Sequence, residues 1–222
     1  MSEEIKSVEL DSLDLAALLS SRVCHDVINP VGAILNGLEV MEDDKSPETQ
    51  EFAISLIRNS ARLASGKLQF CRIAFGAAGS AGASIDTGDA EKVSRGFIDE
   101  EKVKLEWQAP RILLAKNKVK LLLNLVAIGA ASLLRGGTMV VHLADDGTHT
   151  DMSVTVKGPM VRLQPHTEDL AAGKSATGTV DAHGVQAYYA GQLARATGMD
   201  LVISLSDEGL VLKASPKASE AA

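Results

Sequence analysis

Two long helical patterns joined by only a few residues dominate the first third of the chain. Leu15, Leu19, Val23, Val27, Val31, Ile34, Leu38 and Met41 recur at steps of three and four, the stripe of an amphipathic helix. Asp11 or Ser12 is placed to cap that helix, which ends near Asp43-Asp44-Lys45. Ser46-Pro47-Glu48 then reads as a new start, with a cap, proline at the first helical position and an acid in the first turn. The second helix runs to about Phe75, with Ile54, Ile57, Ala61, Ala64, Leu68, Cys71 and Phe75 spaced as a bundle seam. So short a connection forces the two helices to pack antiparallel.

Leu56, Leu63 and Phe70 give the second helix another apolar face. A helix apolar on two sides needs more than one neighbour. The pattern therefore predicts that two hairpins dimerise into a four-helix bundle, with cover from later residues as the alternative.

Gly76 to Ser84 is a small-residue stretch without periodicity, and marks a boundary. Beyond it the punctuation is that of an α/β sandwich. Val103–Gln108 alternates as a strand, and Lys116–Leu134 is a long apolar helix stopped by Gly136-Gly137. Thr138–Ala144 and Met152–Lys157 read as antiparallel strands around Asp145-Asp146-Gly147. A helix follows over Gly184–Thr197, then a hairpin of Leu201–Ser206 and Leu210–Ala214, then a short polar tail from Ser215. The predicted class is α+β: a helical hairpin over residues 10–76, followed by a mixed sheet with helices on one face over 85–215.

Composition narrows the function classes. At 222 residues, 45% hydrophobic and 23% charged, this is an ordinary globular composition. A formal charge of −7 argues against a nucleic-acid partner. No apolar run reaches the length of a membrane span, and Met-Ser-Glu-Glu lacks the character of a signal peptide. Cys24 and Cys71 sit inside helical patterns and read as reduced thiols, so the expected compartment is the cytoplasm.

The chemistry concentrates at His25-Asp26-Val27-Ile28-Asn29-Pro30. His25 lies two residues from Val23 and from Val27, roughly 200° around the helix from the apolar stripe, so it faces outward. Pro30 removes a backbone donor and crowds the preceding turn, which lets the helix bend there. The remaining histidines, His142, His149, His166 and His183, form no pair at metal-ligand spacing. An exposed imidazole with an adjacent acid suits nucleophilic use, Asp26 fixing the tautomer and Asn29 on the same face orienting the ring or the incoming group. On chemistry alone a plain solvent-facing histidine remains open. Arg22, Ile28 and Leu35 lie on or beside the same face as candidate partner contacts, with packing of Ile28 and Leu35 inside the bundle as the alternative.

His25-Asp26-Val27-Ile28-Asn29-Pro30-Val31-Gly32-Ala33-Ile34 resembles the phosphoacceptor motif of two-component histidine kinases. Asn117–Thr138 resembles the asparagine-motif helix of their ATP-binding domain, and Gly184–Ser204 its last helix, turn and strand. The departures cluster at the nucleotide site. Ile128 stands where a kinase places its magnesium-binding asparagine, and an isoleucine offers no oxygen to a hard cation. Val156-Lys157-Gly158-Pro159-Met160 has lost the adenine-recognising aspartate and a glycine, and Ala182-His183-Gly184-Val185-Gln186 has lost most phosphate-cradling glycines.

A kept histidine with a discarded nucleotide site is similar to the ChpT-type histidine phosphotransferases of alphaproteobacterial phosphorelays. Phe70–Ala77 and Lys157-Gly158-Pro159 resemble that family as well. The resemblance implies a homodimeric, cytoplasmic phosphotransferase acting in cell-cycle signalling, without autokinase activity. It would relay phosphate through His25 between receiver domains of a hybrid kinase and of response regulators. It implies no cofactor in this chain, with Mg2+ carried by the partner receiver. An ATP-dependent kinase core and a non-catalytic dimeric adaptor are the alternatives.

Overall fold

A computed structural model of the chain describes residues 6–76, 83–98 and 102–217. Strand β1 (Lys6–Ser7) leads into α1 (Ser12–Asp43), capped by Asp11, whose Oδ1 accepts from the amides of Leu13 and Asp14, both at 2.8 Å. Helix α2 (Pro47–Ala74) packs antiparallel to it, as the short connection requires. Ser46 occupies the cap position of α2, but its hydroxyl does not cap the backbone. Asp44 organises the corner instead, accepting from the Ser46 amide at 2.8 Å and the Thr49 hydroxyl at 2.7 Å. Those hydrogen bonds hold the Asp44 carboxyl below its ordinary pKa.

The short strand β2 (Ser84–Asp86) is followed by α3 (Thr87–Phe97), a helix the sequence reading leaves unassigned. Its apolar residues are few (Ala90, Val93, Phe97) and two glycines interrupt it, so its periodicity is faint. A Cβ on Gly66 of α2 would stand 1.9 Å from the Gly96 carbonyl oxygen, so the two helices meet backbone to backbone.

Strands β3 (Val103–Gln108) and β4 (Leu113–Ala115) precede α4 (Lys116–Ser132), then β5 (Gly137–Asp145) and β6 (Thr150–Lys157). Helix α5 (Thr167–Ala171), strand β7 (Lys174–Ser175), helix α6 (Val185–Ala196), β8 (Met199–Ser206) and β9 (Gly209–Pro216) complete the chain. The main sheet runs β3-β5-β6-β9-β8, parallel at β3/β5 and antiparallel elsewhere. β9 extends through Ser215 and Pro216, which the sequence reading assigns to the tail; residues 218–222 of that tail lie outside the described residues, as do 77–82 of the predicted linker.

Period-two alternation sends Met139, Val141, Leu143, Met152, Val154, Val156, Leu210 and Leu212 to one face of the sheet, where α4 and α6 cover them. Helix α4 is buried continuously from Val119 to Gly129. Phe70 of α2 joins the same core, stacked on Phe97 with ring centroids 4.1 Å apart. The lower part of the second apolar face of α2 is thus covered by later residues of its own chain. The seam is not fully closed, however. Val31, Leu38, Ile54 and Leu68, all expected inside it, are exposed, because one hairpin provides only one neighbour for each helix.

Candidate phosphoacceptor site

His25 stands on the outward face of α1 with its side chain 54% exposed. Its Nδ1 lies 3.5 Å from Asp26 Oδ1, close enough for electrostatic attraction but long for a hydrogen bond. Asp26 is itself held: its Oδ2 accepts from Arg22 Nε at 3.1 Å, and both side chains are nearly buried, at 13% and 12% exposure. Arg22 therefore lies against Asp26 and lines a cavity rather than projecting freely beside the histidine. Asn29, one turn beyond His25, is exposed. Pro30 is buried within an unbroken helix, and the Asp26 carbonyl, four residues back, loses its ladder donor because proline carries no N–H.

Ile28 and Leu35 are strongly exposed, at 66% and 56%, and continue with Val31 and Leu38 as one apolar stripe down α1. The structure thus brings His25, Asp26 and Arg22 together, leaves Asn29 free beside them, and sets Ile28 and Leu35 on an adjoining surface. Cys71, buried in α2 behind the pair, has its thiol pushed up to about 11 by burial, with the Asp26 carboxylate adding to the shift. Cys24 is exposed and free.

The sandwich meets this site at the loop before α6. The rings of His25 and His183 are in edge-to-face contact, centroids 5.4 Å apart and planes at 81°. His183, Arg22 and Ile128 line a cavity of about 420 Å³ together with Gln164, Thr177 and Gln186. Ile128 is buried at its wall, while Asn124 turns its amide to the Lys120 carbonyl at 2.8 Å and leaves Oδ1 unpaired. Among the described residues no group of three His, Cys, Asp or Glu side chains converges as metal ligands, and no helix is long and apolar enough to cross a membrane.

Comparison with known proteins identifies the family. A family model described as histidine phosphotransferase C-terminal domain matches residues 87–209. The protein phosphotransferase ChpT of Brucella abortus (strain 2308) is 49% identical over 207 residues, covering 93% of this chain and 98% of that protein. The chain belongs to the histidine phosphotransferase family. A solved structure of a bacterial phosphotransferase superposes with a TM-score of 0.85 at 47% identity, over 94% of this chain and 98% of the other. Its function is accordingly phosphoryl transfer through histidine in a phosphorelay, and the fold expected from the sequence, hairpin first and mixed sandwich second, is the fold of the family.

The sequence reading missed one residue that the structure places at this site, His183. Its position within the stretch aligned with the kinase phosphate loop was the available signal, but nothing in its immediate neighbours distinguished it from a solvated loop histidine.

Proposed function

We propose that His25 is the phosphoacceptor of this phosphotransferase. In this reading it takes a phosphoryl group from the aspartyl phosphate of a hybrid kinase's receiver domain and passes it to the aspartate of a response regulator. The observation that carries the assignment is an exposed imidazole on a rigid helix, next to a carboxylate that Arg22 holds in place. His149 and His166 also have carboxylates within 3.8 and 3.9 Å, but both sit in loop segments.

With Nδ1 protonated toward Asp26, the Nε2 lone pair attacks phosphorus in line. The bond from phosphorus to the acyl oxygen breaks, and that oxygen leaves as the receiver's carboxylate. The ring then carries a positive charge, and Asp26 stabilises it through Nδ1–H. The second transfer reverses the sequence: a receiver carboxylate oxygen attacks and the N–P electron pair returns to Nε2. Position and charge dominate phosphoryl transfer, so the chain's task is to aim the ring, with Mg2+ supplied on the receiver side. Asn29 sits within reach of the incoming group. Ile28 and Leu35 offer apolar area to a docking receiver.

A second copy of the chain covers Val31, Leu38, Ile54 and Leu68 in a four-helix bundle, presenting two histidines outward. Residues 10–76 carry the transfer and dimer functions, and 85–215 form the supporting sandwich. No ATP step is needed, because Ile128 has no oxygen to hold a magnesium ion. The protein incubated with γ-labelled ATP alone is expected to stay unlabelled, and to become labelled when a hybrid kinase core and its receiver domain are added. Labelling from ATP alone overturns this reading in favour of an autokinase.

A further inference from the structure

The His25 ring has one neighbour on its own helix and another from the sandwich. The Asp26 carboxylate, 3.5 Å away, is too distant to fix the imidazole by hydrogen bonding, and the ring is half exposed. The second neighbour is His183, which reaches it from the opposite end of the chain.

We propose that His183 is a positioning residue for phosphoryl transfer, its ring meeting that of His25 edge to face so that Nδ1 stays toward Asp26 and Nε2 stays presented. The inference rests on His25 as phosphoacceptor and adds a role for the sandwich in the transfer itself.

Five features hold His183 where it is. Asp181 Oδ1 accepts from the His183 amide at 3.0 Å and from the Gly184 amide at 2.7 Å, locking the loop. Gly184 packs so closely that a Cβ would stand 2.5 Å from Leu170 Cδ1. Helix α6, which follows directly, is tied to the start of α1: the Tyr188 hydroxyl accepts from the Leu10 amide at 3.0 Å and from Gln192 Nε2 at 2.8 Å. Strand β1 pairs with β7, and the Val8 amide donates to the Gly173 carbonyl at 2.8 Å, so the segment entering α1 is strapped to the sandwich. Leu15, Leu18 and Leu19 of α1 pack on Val185 and Tyr188 of α6. The distance between the two rings is therefore set by packing on both sides and not by a flexible tether. Edge-to-face is the arrangement that ring quadrupoles favour.

The test is single-turnover transfer from a phosphorylated receiver domain to the full-length protein, measured against receiver concentration, for wild type, His183→Ala, His183→Phe and His25→Ala. His183→Ala is expected to lower the saturated rate about three- to tenfold, the range an aromatic pair contributes, with the half-saturating concentration unchanged. His183→Phe, which keeps a ring at the contact, is expected to restore most of that rate. The His25 ring protons should lose a ring-current shift in His183→Ala and keep one in His183→Phe, with both variants melting as wild type does. A wild-type rate for His183→Ala, an effect confined to the half-saturating concentration, or a Phe variant as slow as Ala overturns the proposal. Uptake by His25→Ala at the wild-type rate would instead overturn the phosphoacceptor assignment, so the two failures are distinguishable.

Discussion

The outer face of α1 and the interior of α4 are both helical, yet they are built for opposite ends. Along α1 only Pro30 and Gly37 are buried, and polar groups with exposed apolar side chains surround His25. Along α4 every residue from Val119 to Gly129 is buried, including the polar Asn124 and the branched Ile128. The first helix contributes little burial and presents the chemistry. The second is given over to packing, and holds together the sandwich that supports the first.

That contrast can be broken experimentally. The largest expected effects are opposite in kind. Leu121→Ala or Leu125→Ala, deleting fully buried side chains of α4, should cost about 2–5 kcal/mol of stability in urea unfolding. His25→Ala should change stability by no more than about 0.5 kcal/mol, as exposed substitutions do, while phosphoryl uptake disappears. A large stability loss in His25→Ala would erase the distinction between the two helices.

Asp26→Asn should slow transfer by about 10²–10³-fold in a rapid-quench assay, the range for removing a group that stabilises charge developing in the reaction. An unchanged rate would leave Asp26 a structural partner of Arg22 only.

On the exposed seam, Leu38→Glu combined with Leu68→Glu should break the proposed dimer into monomers in light scattering, since each copy would bring two unpaired charges into the bundle. A wild-type mass for the double variant would place the dimer contact elsewhere.

The smallest effect concerns the two thiols. Cys24 should react fully with iodoacetamide at neutral pH while Cys71 is spared in the folded protein. Because burial raises the Cys71 pKa from 9.0 to about 11, the folded chain keeps a proton that the unfolded chain releases between those values. Stability should therefore fall by roughly 1–3 kcal/mol as pH rises from 9 to 11, and Cys71→Ala should flatten that part of the profile.

How much of this was legible in the sequence follows from where the information lies. The two long helices, their antiparallel packing, the α4 span and the two antiparallel strand pairs carry their own periodicity and turn residues, and were readable. Helix α3 was not, because its apolar residues are few and two glycines interrupt it, and what seats it is the bare backbone of Gly66 on α2, a partner element outside its own segment. The exposure of Val31, Leu38, Ile54 and Leu68 was misjudged for a related reason: spacing reports which residues share a face, not how many neighbours cover it. His25 and Asp26 are adjacent in sequence, so their pairing was visible. Helical spacing sets Arg22 on or beside the face of His25 as a candidate partner contact, but does not show the bond to Asp26 that turns it toward the cavity. His183 approaches His25 only because the β1 strap and α6 join the two ends of the chain, a proximity no local pattern encodes.

The central claim is tested most directly by locating the phosphate. After transfer from a phosphorylated receiver domain, proteolysis under alkaline conditions and mass spectrometry should place a single acid-labile phosphate on the peptide containing His25, with phosphorus NMR reporting the Nε2 isomer. Phosphate on any other residue, or a protein that accepts none from a competent receiver, would contradict the account.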